Sequence, residues 1–131
     1  MIMFEDLNFD GYPDMRVPEF DSMPNASFGY FFYSPSNKKF VRAPEYMLEV
    51  TNPTVPYGKK ILTGSSRNGC CNYSAIIVGP EIIERAEFDF STGKGFMSTT
   101  SKEARTFIKL PIAEMEFREK FLIFSGESDA N

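Results

Sequence analysis

Seven short runs rich in aromatic and β-branched residues recur along the chain: "MRVPEF", "FGYFFYS", "KKILTGSS", "NYSAIIVG", "EIIERAEFDF", "ARTFIKL" and "EMEFREKFLIF". Clusters of proline, glycine, asparagine and serine separate them. This is the punctuation of strands joined by turns, and it constrains the fold more than any other feature. In "ERAEFDF" apolar and charged residues alternate, which places Ala86, Phe88 and Phe90 on one face and the carboxylates on the other, as in an antiparallel sheet with one wet side. "EMEFREKFLIF" alternates similarly. "PSNKK", "STGKG" and "VGPE" have hairpin-turn chemistry. "APEYMLEV" carries proline at a possible first helical position and is the one helical turn expected. The expectation is all-β: an antiparallel β-sandwich or flattened barrel of about seven or eight strands.

A chain of 131 residues with 42% apolar content is long enough for one core, so residues 1–131 are read as a single domain. Fourteen phenylalanines supply much of that core, which has no tryptophan.

Composition also removes functions. With no histidine there is no Ser-His-Asp or Cys-His catalytic unit and no imidazole ligand for zinc or iron. Cys70 and Cys71 are the only cysteines, which rules out a four-cysteine zinc site. Being adjacent, they read as a small buried thiol and its outward neighbour on a strand. If they pair, they pair with each other in a tight ring or with another chain. A net charge of -4 and no long Lys/Arg run argue against a nucleic-acid surface and favour a cationic protein partner. No stretch reaches the roughly 20 apolar residues of a membrane span. The start "MIMFEDLNFD" lacks the basic-then-apolar pattern of an export signal.

"DLNFDGYPDM" is the densest chemical signal. The spacing D-x-N-x-D-G-x-x-D puts oxygens at loop positions one, three, five and nine, with Gly11 at six where the chain turns sharply. These are the positions from which an EF-hand-like calcium loop donates ligands. Asp6, Asn8, Asp10 and Asp14 would give side-chain oxygens and Tyr12 its carbonyl, and Ca2+ would offset the repulsion of three carboxylates. Position twelve is Val17, where an EF-hand has a bidentate glutamate, so water, Glu19 and Asp21 are the candidate replacements. Flanking strands suit a structural loop rather than a sensor.

A second stretch, "LTGSSRNGCCNYS" from Leu62 to Ser74, reads as a polar loop projecting between two strands. Ser65, Ser66, Arg67, Asn68 and Tyr73 are its candidate partner-binding residues, because Arg gives bidentate hydrogen bonds and Tyr a rigid aromatic face with a polar tip. The plainer reading is a hairpin in which Tyr73 packs across strands.

In order, "EDLNFDGYPDMRV", "YFFYSPSNKKFV", "TNPTV" and "SSRNGCCNYS" resemble a bacterial envelope family related to the invertebrate-type lysozyme inhibitors. Some of its members serve as immunity proteins against peptidoglycan-degrading secreted effectors. The resemblance runs from about Phe4 to Phe90, and the tail from Ser91 matches no family motif. It implies a periplasmic, calcium-stabilised β fold, exported by a signal not present in this chain. It also implies that the Ser65–Ser74 segment enters the active-site cleft of a lysozyme-like peptidoglycan hydrolase, with Tyr73 approaching the catalytic carboxylates and Ser65, Ser66 and Arg67 making polar contacts. A glycosidase needs two carboxylates flanking the scissile bond, so such a plug inhibits without any reaction of its own.

Two other classes compete. Glu81, Glu84 and Glu87, or Glu114, Glu116 and Glu119, could be an acid/base pair, but alternating positions on amphipathic strands explain them as a solvated face, and the expectation is that the protein is not an enzyme. The other is a calcium-binding extracytoplasmic adhesion or scaffold module without inhibitory activity.

Overall fold

A computed structural model of the chain describes residues 2–22 and 25–122. Two antiparallel sheets make up most of it. The first has the order β1 (Met3–Glu5), β2 (Asp14–Ser22), β3 (Asn25–Ser34), β4 (Lys39–Arg42). The second has the order β5 (Leu62–Asn68), β6 (Asn72–Val78), β7 (Ile82–Asp89), β8 (Lys94–Ser101), β9 (Leu110–Pro111). Every strand pairs with its sequence neighbour, which short turns permit. The turns fall on the expected residues: Lys38 (φ 52°) closes the β3–β4 turn, and Gly93 (φ 72°) ends the β7–β8 turn. A 3₁₀ turn at Glu45–Glu49 fills the expected helical position.

Two apolar clusters hold the second sheet. On one face Leu62, Ile76, Val78 and Ile83 meet Leu7, Tyr30, Met47 and Val50 from the first sheet and the segments beside it. On the opposite face Ala75, Ile77, Ala86 and Phe88 meet Ile112, Phe117 and Phe121. Burial on both faces accounts for the unbroken apolar run "AIIV" in β6. Ala86, Phe88 and Phe90 share one face as the alternation required, with Phe90 packed against the second cluster.

Asparagines join the sheets. Asn25 Nδ2 donates to the Arg67 carbonyl at 3.0 Å and its Oδ1 accepts the Arg67 N–H at 2.9 Å. Asn52 Oδ1 accepts the Ala26 N–H at 2.9 Å and its Nδ2 donates to the Ser65 carbonyl at 2.8 Å. Together with backbone bonds from Thr63 to Thr54 and from Ser65 to Thr51, these side-chain amides cover the outer edge of β5 instead of leaving an open ladder.

Three expectations are corrected. "EMEFREKFLIF" begins as a helix, α1 (Glu114–Phe117), followed by a π-helical turn at Arg118–Leu122. Phe117 and Phe121, four apart, lie on one helical face against the sheet, and Arg118 and Glu114 pair at 3.1 Å on the same spacing. "ARTFIKL" is irregular except at Leu110, whereas "KGFMSTTS", "MFE" and "KFVR" are strands, giving nine among the described residues. Cys70 and Cys71 occupy the β5–β6 turn and are bonded to each other. The chain reverses there at Gly69 (φ 74°), so the strand alternation that would have separated the two thiols does not apply.

Candidate metal centre and partner surface

The Asp6–Asp14 segment bends between β1 and β2, so strands flank it as expected. Phe9 (φ 60°) and Gly11 (φ 91°) both take left-handed backbone, which turns the chain sharply on either side of Asp10. Asp6 accepts the N–H groups of Asp10 at 3.2 Å and Gly11 at 2.8 Å, and Asp10 Oδ1 accepts that of Tyr12 at 3.0 Å. The result is a group of three acidic residues, Asp6, Asp10 and Asp14, with one oxygen of each lying within 4.8 Å of the others. These residues could hold a metal ion.

Asp14 is the buried member, with none of its surface exposed. Its Oδ2 accepts the Leu7 N–H and its Oδ1 the Tyr33 N–H, both at 2.9 Å. Burial pushes its pKa above the ordinary 3.8, the two amides oppose that, and the nearby Asp10 charge adds to it. Without a cation, then, the fold disfavours the charged state of Asp14. A bound cation would reverse that preference.

Asn8 adds an independent signal. Its Oδ1 is buried and has no hydrogen-bond partner, which costs about 1–3 kcal/mol unless something binds there. The all-oxygen donor set of three carboxylates and one amide is the chemistry of hard cations such as Ca2+ or Mg2+. Tyr12 sits at the loop surface with its ring 5.6 Å from that of Tyr33. Glu19 is not a ligand candidate: it lies across Gly29, roughly 15 Å along the strand from Asp14 at a strand's rise per residue. The side chain of Asp21 falls outside the described residues.

The second stretch is a paired hairpin rather than a loop. Ser65, Ser66, Arg67 and Asn68 belong to β5 and Tyr73 to β6, leaving residues 69–71 as the turn. Pleating distributes these residues over two faces. Ser65, Arg67 and Tyr73 lie on the side of the Phe117 cluster, where Arg67 pairs with Tyr73 in register and the Tyr73 ring meets Phe90 edge-on at 5.2 Å. Ser66 and Asn68 lie on the other face, in register with Ser74 and Asn72. Ser65 is buried, whereas Arg67 and Asn68 are exposed.

The acid/base candidates are separated. Glu84 pairs with Lys120 at 2.5 Å and Glu87 with Lys109 at 3.0 Å on opposite faces of β7, while Glu114 pairs with Arg118. Sequence reasoning missed an aromatic chain on the outer face of the first sheet: Phe4–Phe40 at 6.0 Å, Phe40–Tyr33 at 5.3 Å and Tyr33–Tyr12 at 5.6 Å. Counting side chains by parity from Tyr33 across β3 and β4 would have found most of it.

No protein-family model, curated protein or solved structure matches this chain.

Proposed function

We propose that the protein is a calcium-stabilised binding protein that acts by occupying a partner's cleft, and that the partner is a lysozyme-like peptidoglycan hydrolase in the periplasm. The observation that carries the calcium part is the convergence of Asp6, Asp10 and Asp14 with an orphaned Asn8 oxygen. Calcium fits better than magnesium because Ca2+ accepts irregular sets of six to eight oxygens, whereas Mg2+ demands a near-ideal octahedron. Asp6, Asn8, Asp10 and Asp14 would ligate through side chains and Tyr12 through its carbonyl.

The inhibitory surface is assigned to the end of the β5–β6 hairpin. A bond between Cys70 and Cys71 closes its turn, and Asn25 fixes the Arg67 backbone from the other sheet, so the finger pays little ordering entropy on entering a cleft. Arg67 and Asn68 would supply polar contacts at its exposed end and the Tyr73 hydroxyl a donor to an enzyme carboxylate, with Ser66 beside them and Ser65 supporting from within. Because the hairpin's candidates face both ways, it would be gripped on both sides.

A second reading, a calcium-binding extracytoplasmic adhesion or scaffold module, is favoured by the ring chain in which Phe4, Phe40 and Tyr12 are exposed around a half-buried Tyr33. Peptidoglycan hydrolysis by lysozyme-like enzymes, measured with and without this protein, separates the two. Inhibition that Arg67→Ala and Tyr73→Phe relieve at unchanged melting temperature, with a loss on the order of 2 kcal/mol for a hot spot, supports the inhibitor. Binding to an envelope partner that survives both changes but falls with Phe40→Ala supports the module.

A further inference from the structure

Neither the acidic bend nor the hairpin turn accounts for a cavity that opens over the second sheet. Beyond the area covered by the first sheet, the face that carries Ile76 runs on across β5 to β8, and a cavity of about 300 Å³ opens over it. That is the lower end of the size range of small-molecule sites. Ser66 and Ser74, in register across β5 and β6, line it together with Ser98 of β8. These three hydroxyls have no hydrogen-bond partner among the described residues. Ser98 is only 5% exposed and lines the cavity, so a ligand seated there could take the hydrogen bond that its hydroxyl otherwise makes to water.

The remaining lining narrows the chemistry. Phe96 and Phe107 contribute rings that are 42% and 39% exposed, which gives the cavity apolar faces. Its charges are already matched. Arg85 grips Glu49 through two bonds of 2.6 and 2.8 Å, and Lys109 pairs with Glu87 at 3.0 Å. An anion would have to displace a carboxylate from one of these pairs, and a wholly apolar ligand would leave three hydroxyls dry at a cost each. The lining fits a molecule that is uncharged, has a rim of hydroxyls and has one apolar face. A pyranose ring is all three.

We propose that this cavity binds a neutral sugar ring, free or as one unit of a saccharide, held by the Ser66, Ser74 and Ser98 hydroxyls and packed against Phe96 and Phe107. The test is an amide NMR titration of the full chain with methyl β-D-glucopyranoside and with N-acetylglucosamine, and with glucuronate and inorganic phosphate as charged probes. The expected result is saturable shifts at Ser66, Ser74 and Ser98 with at least one neutral sugar and weaker effects from both anions. Ser98→Leu, which fills the cavity, should abolish them. Phe107→Ala, at the exposed border, should weaken binding about two- to tenfold without loss of fold, and it carries the test if Ser98→Leu does not fold. Absence of saturable shifts with both sugars, tighter binding of either anion, or shifts that persist unchanged in Phe107→Ala would each overturn the proposal.

Discussion

Asp14 accepts the backbone N–H of Tyr33 through one carboxylate oxygen, at 2.9 Å, while its other oxygen accepts that of Leu7. One buried side chain thus joins the acidic bend to the third strand, and any ion bound by Asp6, Asp10 and Asp14 would act on the sheet through it.

Replacing Asp14 with alanine would leave the Leu7 and Tyr33 amides without their acceptor. Urea unfolding should report a loss of about 3 kcal/mol, the scale of one or two orphaned buried donors. Any rise of stability with calcium should vanish in the same variant.

The Asn25–Arg67 pair is a separate tie outside the acidic bend. Asn25→Ala removes both bonds to the Arg67 backbone and should cost about 1–2 kcal/mol. Hydrogen exchange should show the effect at the Arg67 amide, with the Asp6–Asp14 bend and its calcium response unchanged.

Gly95 is required by crowding. A Cβ there would overlap the Phe88 ring and approach the Glu87 carbonyl at 2.6 Å. Phe88 is stacked on Phe117 with ring centroids 5.3 Å apart, so it cannot yield cheaply. Gly95→Ala should destabilise by about 1–3 kcal/mol, visible in thermal melts and as loss of the near-ultraviolet aromatic signal.

Asp89 supplies a pH-dependent contribution. Its Oδ1 accepts the Ser91 hydroxyl at 2.5 Å and the Ser91 N–H at 2.9 Å, and these bonds hold its carboxyl below the ordinary 3.8. A lowered folded-state pKa means that the carboxylate's stabilisation is present above pH 3.8 and is lost as pH falls through the folded value. A carboxyl NMR titration should place the Asp89 midpoint below 3.8, and Ser91→Ala should move it back up.

Much of the strand architecture was legible because period-two alternation and turn residues agree, as in Ala86, Phe88 and Phe90 followed by "STGKG". The acidic bend was legible because its carboxylates are close in sequence. The C-terminal helix was not: "EMEFREKF" alternates in polarity yet also places Phe117 and Phe121 four apart, and burial against Phe88 decided between the two periods. Strand β8 hid behind the polarity of "MSTTS", since Ser98 and Thr100 share a face with a cavity and with Arg85 rather than with a dry core. Hairpin and loop were confused at Gly64–Asn68 because small polar residues there signal turns, yet Asn25 and Asn52 pair the strand's outer edge. The cavity itself assembles from separate strands, and no single stretch of sequence announces it.

Calcium binding at the Asp6–Asp14 bend is the property on which the proposed function rests. Calorimetric titration of chelator-stripped protein with calcium chloride measures this directly, alongside Asp10→Ala as the exposed-ligand control. The expected result is saturable heat for one ion per chain, with a dissociation constant at or below the roughly millimolar range of extracellular calcium modules, a higher melting temperature on binding, and neither effect in Asp10→Ala. No heat and no melting shift at millimolar calcium, in protein that is folded, would contradict it.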